Sequence, residues 1–442
     1  MNKVKKQKEL SFFLSLSSRQ VLAIPLTAFI GLLTTKISFS AVGTQWFGIV
    51  GTVAGLSTFL IFLDFGTSGP VVNNVALALK NKDSVLLSKT LNTATSYLIT
   101  TSAIFIVFFF FLTKLNIWSK IFSHNFTYQD NLIIFFLCAI YCLAIPMGIW
   151  GRVLQGLGEQ KILVVTSVVL ACINLFTTTL FWHFSVYPLL FILTGNIAYF
   201  VNNFLNLFLS LRKFKQTGLN FTFKLEKPSF AMFRTMEGAL PMLFLNISFP
   251  IAYTVARFML MGKVSAYDLS LYSFIMLIFT LSNSIIQTVG NGVWPYFVNK
   301  RENAKDTIKS INIFSLIFLA FGILTGLALI IFGPLFVKIL SSNELKVSES
   351  VLIACAILIF VQSLSIPLIS LLTTPKELKF QGICSVLMVV ATIVASHILI
   401  PLIGINAPFI ALASSILIFQ VLPYRIMMKR FILNRDEVKS SV

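Results

Sequence analysis

Twelve long apolar stretches separated by short polar loops leave this chain one kind of fold. A helix needs roughly 20 apolar residues to cross a hydrocarbon core about 30 Å thick. Stretches of that length run from Gln20 to Lys36, Gly43 to Leu63, Leu91 to Leu112, Asn131 to Trp150, Ile162 to Trp182 and Tyr187 to Leu211. The second half continues with Gly238 to Leu260, Leu269 to Val289, Ile311 to Leu335, Val351 to Leu372, Gly382 to Pro401 and Ile405 to Tyr424. Backbone facing lipid must satisfy its own hydrogen bonds, so these stretches are expected as helices. With 57% hydrophobic and 11% charged residues, the chain does not read as a water-soluble domain.

The basic residues set the orientation. With every second loop placed inside, 27 of the 34 Lys and Arg fall on the inner side. The outer side holds only Lys36, Lys114, Lys120, Arg257, Lys263, Lys338 and Lys346. Positive charge near span ends resists translocation, so both termini are expected in the cytoplasm and the chain in a bacterial inner membrane. The net charge of +19 is then explained by anionic membrane lipids at the cytoplasmic helix ends, and no nucleic-acid partner is implied. The N-terminal Lys cluster and apolar run mimic a secretory signal, but no small-residue cleavage site follows, so the run reads as an uncleaved first span. All five cysteines fall inside spans. Cys138 and Cys142 share a helical face, but two thiols do not make a metal site, and no cofactor is implied.

The two halves of the sequence echo each other. VLAIPL at Val21 resembles GALPML at Gly238, FLDFGTSGP around Gly66 resembles QTVGNGVWP around Gly290, and AIPMGI at Ala144 resembles SIPLIS at Ser365. The paired prolines (Pro25 and Pro241, Pro70 and Pro295, Pro146 and Pro367) are 216, 225 and 221 residues apart, in the same order. This predicts a duplication into six-helix bundles spanning 1–222 and 223–442. Six helices per half make the repeats parallel, with a substrate site between them and alternating access by rocking.

LDFGTSGPVVNNVA at Leu63 to Ala76 and RVLQGLGEQK at Arg152 to Lys161 resemble two diffuse motifs of the O-antigen and polysaccharide flippases. These belong to the multidrug/oligosaccharidyl-lipid/polysaccharide (MOP) exporter superfamily. The resemblance implies an all-α membrane protein of about 12 transmembrane helices, arranged as two parallel MATE-like bundles around a central cavity. It further implies transport of undecaprenyl-pyrophosphate-linked oligosaccharide from the cytoplasmic to the periplasmic leaflet. A polysaccharide polymerase and a chain-length regulator are the partners implied by the resemblance alone.

Such cargo needs a wet cavity, with cations for the pyrophosphate and amides or hydroxyls for the sugars, because an unpaired charge in hydrocarbon costs several kcal/mol. Arg257 in the seventh span and Lys36 at the outer end of the first are the candidate cations; the alternative is that both reach to the outer headgroups. Asn283, Gln287 and Asn291, at i, i+4 and i+8 of the eighth span, either line the cavity or bond to neighbouring helices. Asn246 and Tyr253 share a face of the seventh span near the same place. Asparagines 196, 202, 203 and 206 of the sixth span point to several faces, which favours interhelical packing. Asp64 with Arg152 is a candidate inner gate, the alternative being a solvated interfacial carboxylate. The histidines His124, His183 and His397 fall toward the outer side, where surface position explains them.

A MATE-like multidrug exporter is the second reading, although the first span carries no carboxylate. A polysaccharide polymerase or ligase is the third. It is disfavoured by short outer loops and by the absence of Asp-x-Asp, His-Glu-x-x-His, Gly-x-Ser-x-Gly and phosphate-loop motifs, so the chain is expected not to be an enzyme.

Overall fold

The computed structural model describes residues 2–60, 63, 67–225, 239–300, 304–372 and 375–428. These are almost wholly helical, with no strand among the described residues. Eight of their helices are long and apolar enough to cross a membrane, against twelve stretches counted in the sequence. The difference arises partly because Pro25–Ala54 runs through the first two stretches and Lys376–Met428 holds the last two, and partly because the seventh and eighth include residues outside the described set.

Helix α1 (Asn2–Ala54) is two arms, 2–42 and 44–54, joined at Gly43, whose φ of 72° and ψ of 175° no helix accommodates. A Cβ there would meet nothing within 4 Å, so the backbone angle and not crowding calls for glycine. There follow α2 (Leu56–Leu60), α3 (Ser68–Asn81), α4 (Ser84–Lys114), α5 (Ile117–Ile121), α6 (Tyr128–Gly156), α7 (Gln160–His183) and α8 (Leu193–Thr217). After residue 238 come α9 (Ala239–Leu260), α10 (Ala266–Lys300), α11 (Ala304–Leu340), α12 (Glu349–Leu371), α13 (Pro375–Ile403) and α14 (Ala407–Ile416). Several helix starts are fixed locally. Asp83 caps α4 by accepting from Val85 N and Leu86 N, and Thr127 with Asp130 forms a reciprocal capping box on α6.

The chain divides into two compact units. Unit 1 comprises 1–42, 59–121 and 125–236; unit 2 comprises 43–58, 122–124 and 237–442.

In unit 1, α6 lies against α4 and α8, and α8 against α7. The α6–α8 contact is stitched by polar side chains at seven-residue intervals on α8. Asn196 donates to Leu137 O (3.1 Å), Asn203 to Ala144 O (3.4 Å) and Ser210 to Trp150 O (3.1 Å). In lipid such bonds hold helices together because hydrocarbon offers no other partner. The two sequence motifs have packing roles here. Asn74 donates to Thr90 Oγ1, joining α3 to α4. Gly156 ends α6 against α3, where a Cβ would come within 2.7 Å of Val72 O.

Residues 219–225 run extended along α4. Asn220 N donates to Ser84 Oγ, Ser88 Oγ to Asn220 O and Thr222 N to Ser88 Oγ; Asn92 Nδ2 then donates to Thr222 O and Lys224 N to Asn92 Oδ1. The register has a simple cause. Four helical residues rise about 6 Å and two extended residues about 6.6 Å, so side chains at i, i+4 and i+8 meet backbone at j, j+2 and j+4. Phe221 packs its ring against Trp150 and Phe214, which anchors the same segment.

In unit 2, α12 packs against α10 and α11, and α13 against α9 and α14. On α11, Gly322 and Gly333 face α12 where a Cβ would overlap Ser363 and Leu352 respectively. The opposite side of α11 exposes Ile313, Leu316, Ile317, Leu324, Leu327, Ile331 and Leu335. A continuous apolar stripe of this size on a helix surface marks contact with lipid.

Candidate functional site

The second arm of α1 seats itself on α9 and α10 through three glycines and three polar bonds. Gly48, Gly51 and Gly55 occupy i, i+3 and i+7, one face of a helix. A Cβ at Gly48 would lie 2.8 Å from Ser270 N, one at Gly51 3.2 Å from Ser273 Oγ, and one at Gly55 2.9 Å from Thr254 Cγ2. Phe47, on the next position, stacks on Phe274 at 4.5 Å between ring centroids.

The Ser270 hydroxyl donates to Thr44 O (2.6 Å) and accepts from Gly48 N (3.0 Å). Those two groups are the ones an α-helix would pair with each other. One side chain thus bonds both ends of a single step of the helix ladder. Thr44 Oγ1 in turn donates to the Glu344 carboxylate.

The arm ends at Ala54, and Gly55 N divides its bond between Gly51 O (3.3 Å) and Thr52 O (3.1 Å). Carbonyls at such a terminus are short of donors and carry partial negative charge. Arg257 fills the deficit, Nη1 donating to Gly51 O at 2.6 Å. Arg257 also lies in the last turn of α9, so two helix C-termini favour its charge.

No carboxylate lies within ion-pair distance of Arg257 among the described residues, where the single ion pair is Lys213 with Glu159 of unit 1. A guanidinium has five N–H donors and no acceptor. Gly51 O is the one hydrogen-bond partner described for Arg257, whose side chain is half-buried beside Tyr272. The arrangement is a cation in an apolar setting with most of its donors uncommitted, which is what an anion requires.

The other sequence candidates fall as follows. Tyr253, one turn before Arg257, sets its ring edge-on to Phe279 at 5.5 Å, and its hydroxyl faces the Gln362 amide of α12. Neither that hydroxyl nor that amide completes a hydrogen bond among the described residues. Asn283 and Gln287 lie one turn apart on α10; Asn283 Oδ1 is enclosed and likewise unpaired among the described residues. The side chains of Asn246 and Asn291 are outside the described set, as is Asp64 altogether. Lys36 is exposed on the first arm of α1, in unit 1. Arg152 is exposed and its Nη1 donates to Gln155 Oε1 at 3.3 Å, so the expected bond to Asp64 lies outside the described residues.

Sequence reasoning missed Ser270, Gln362 and the three glycines. The glycine spacing was available as a signal, since Gly-x-x-Gly-x-x-x-Gly within an apolar span lays small residues along one helix face.

No protein-family model and no curated protein sequence matches the chain. Solved structures do. An inward-facing multidrug resistance MATE family transporter of the MOP superfamily superposes with a TM-score of 0.75 at 11% identity, over 93% of this chain and 98% of that one. The lipid II flippase MurJ, in an inward closed conformation, gives 0.67 at 13% identity over 94% and 87%. A MATE structure in its bent conformation gives 0.61 at 11% identity over 95% and 99%. At these identities the likeness establishes the fold, an all-helical MATE-like one across nearly the whole length.

Proposed function

We propose that this protein is a flippase that carries undecaprenyl-pyrophosphate-linked oligosaccharide from the cytoplasmic to the periplasmic leaflet by alternating access. The observation that carries this reading is Arg257, a cation within a membrane-embedded fold that has a backbone carbonyl for its partner. Keeping an arginine in a span costs about 2.5–3.5 kcal/mol even on the mildest scale, so its retention needs a use. A pyrophosphate supplies the charge and the paired oxygens that a guanidinium fits. The enclosed amides and hydroxyls of Asn283, Tyr253 and Gln362 are chemically suited to sugar hydroxyls. The shared fold with the lipid II flippase MurJ supports a lipid-linked cargo.

The MATE neighbours support a second reading, multidrug export. Arg257 discriminates between the two, since a cationic drug would meet like charge there. Deleting the gene and analysing lipid-linked intermediates decides the matter. The flippase reading expects undecaprenyl-pyrophosphate glycan to accumulate on the cytoplasmic leaflet and long surface polysaccharide to disappear. Unchanged polysaccharide with altered drug tolerance would select the exporter.

A further inference from the structure

We propose that Arg257 is a latch on the second arm of α1, released when an anionic group displaces Gly51 O from its guanidinium. This rests on the reading of Arg257 as the pyrophosphate site and adds to it a consequence of occupancy.

Three side-chain connections hold the arm within unit 2: Thr44 to Glu344, Ser270 to Thr44 O and Gly48 N, and Arg257 to Gly51 O. They differ in what happens on breaking. Withdrawing Ser270 takes a hydroxyl away from two backbone groups of the arm, Thr44 O and Gly48 N. Withdrawing Arg257 strands nothing on the arm, because Gly51 O keeps Gly55 N at 3.3 Å. The cost of release therefore falls on the guanidinium alone.

That cost vanishes when an anion is offered. The bond to Gly51 O already has an ionised donor, and a phosphate adds an ionised acceptor and a second prong, which makes it the stronger partner. A two-pronged bond that takes Nη1 as one prong draws that nitrogen off Gly51 O, while the uncommitted donors supply the other. The arm is then held by Ser270, Thr44 and glycine-mediated packing, one connection fewer. By linkage the coupling is reciprocal: whatever loosens the arm beforehand tightens anion binding. This converts arrival of the cargo's headgroup into loosening of the second span, with Arg257 serving both events.

Inorganic pyrophosphate is a sufficient probe, using the full-length protein in lipid nanodiscs. Titration calorimetry reads binding and hydrogen–deuterium exchange reads the amides of 43–58. The latch predicts binding that is lost in Arg257→Gln, together with faster exchange in 43–58 on binding, an effect that sulfate at matched ionic strength does not reproduce. It also predicts that Ser270→Ala, with exchange already raised in the absence of ligand, binds pyrophosphate about threefold to tenfold more tightly, the reciprocal of losing a connection of ordinary strength. Thr44→Val, which removes the Glu344 connection instead, is expected to tighten binding in the same direction and guards against one variant misfolding. Absence of Arg257-dependent binding would overturn the anion site and the latch together. Arg257-dependent binding with unchanged exchange, or with unchanged or weaker affinity in Ser270→Ala and Thr44→Val, would overturn the latch and leave the site standing. Equal acceleration by sulfate would also overturn it.

Discussion

Gly31 and Gly48 belong to the two arms of one helix, and replacing each with alanine separates packing from propensity. At Gly31 an added Cβ meets nothing within 4 Å. The substitution there gains helix propensity of about 1 kcal/mol and little else. At Gly48 the same methyl would lie 2.8 Å from Ser270 N and 2.9 Å from the carbonyl carbon and Cγ of Leu269. Two of those three atoms are backbone, and restoring ordinary contact requires α10 and the arm to part by about 0.5 Å. Overpacking of this kind costs about 1–3 kcal/mol, and losing the Ser270 connection about 1 kcal/mol more. Against the same gain of about 1 kcal/mol in propensity, Gly48→Ala is destabilising by about 1–3 kcal/mol, so the two variants differ by about 2–4 kcal/mol. For a chain of this length the entropy of unfolding converts each kcal/mol to roughly 1 °C. Thermal unfolding in detergent, followed by tryptophan fluorescence, should therefore move the two midpoints in opposite directions, with Gly31→Ala rising and Gly48→Ala falling by a few degrees. Gly48→Ala as stable as Gly31→Ala would refute the close seating of the arm on α10, and with it the placement of Arg257 at Gly51.

Further expectations rest on features away from Arg257. Asn196→Leu removes the bond to Leu137 O and should cost about 0.6–2 kcal/mol, seen as a lowered midpoint with transport retained; an unchanged midpoint would deny the α6–α8 stitching a role. Asn92→Leu frees Thr222 O and Lys224 N, so trypsin added to vesicles with the cytoplasmic face outward should cut after Lys224 several-fold faster, and an unaltered rate would count against the extended ladder.

The helical, membrane-spanning character was legible because hydrophobic run length depends on composition, which a sequence states outright. Arg257 was legible for the same reason, as a rare cation inside an apolar stretch. What decided its setting was not. Gly43 and Gly55 look alike in the sequence, yet one turns the chain at positive φ while the other ends an arm and exposes carbonyls to a cation. The partner of Arg257 is a peptide oxygen, which every residue possesses, so no side-chain pattern announces it. Ser270 and Gln362 are single polar residues in apolar surroundings, and their roles come from neighbours hundreds of positions away or on other helices. The α8 asparagines behaved as their scattered faces suggested, with Asn196 and Asn203 reaching α6 carbonyls. The ladder along α4 went unread because its i+4 polar spacing answers to the backbone of a linker and not to another side-chain pattern.

The most direct measurement is transbilayer movement in proteoliposomes containing the purified protein and labelled undecaprenyl-pyrophosphate oligosaccharide, with leaflet position read by accessibility to an enzyme or quencher confined outside. Native protein is expected to move the label between leaflets. Arg257→Lys should move it more slowly, because a point charge replaces a two-pronged donor, and Arg257→Glu should not move it at all. No movement above protein-free vesicles by native protein, or equal rates for all three, would contradict the account.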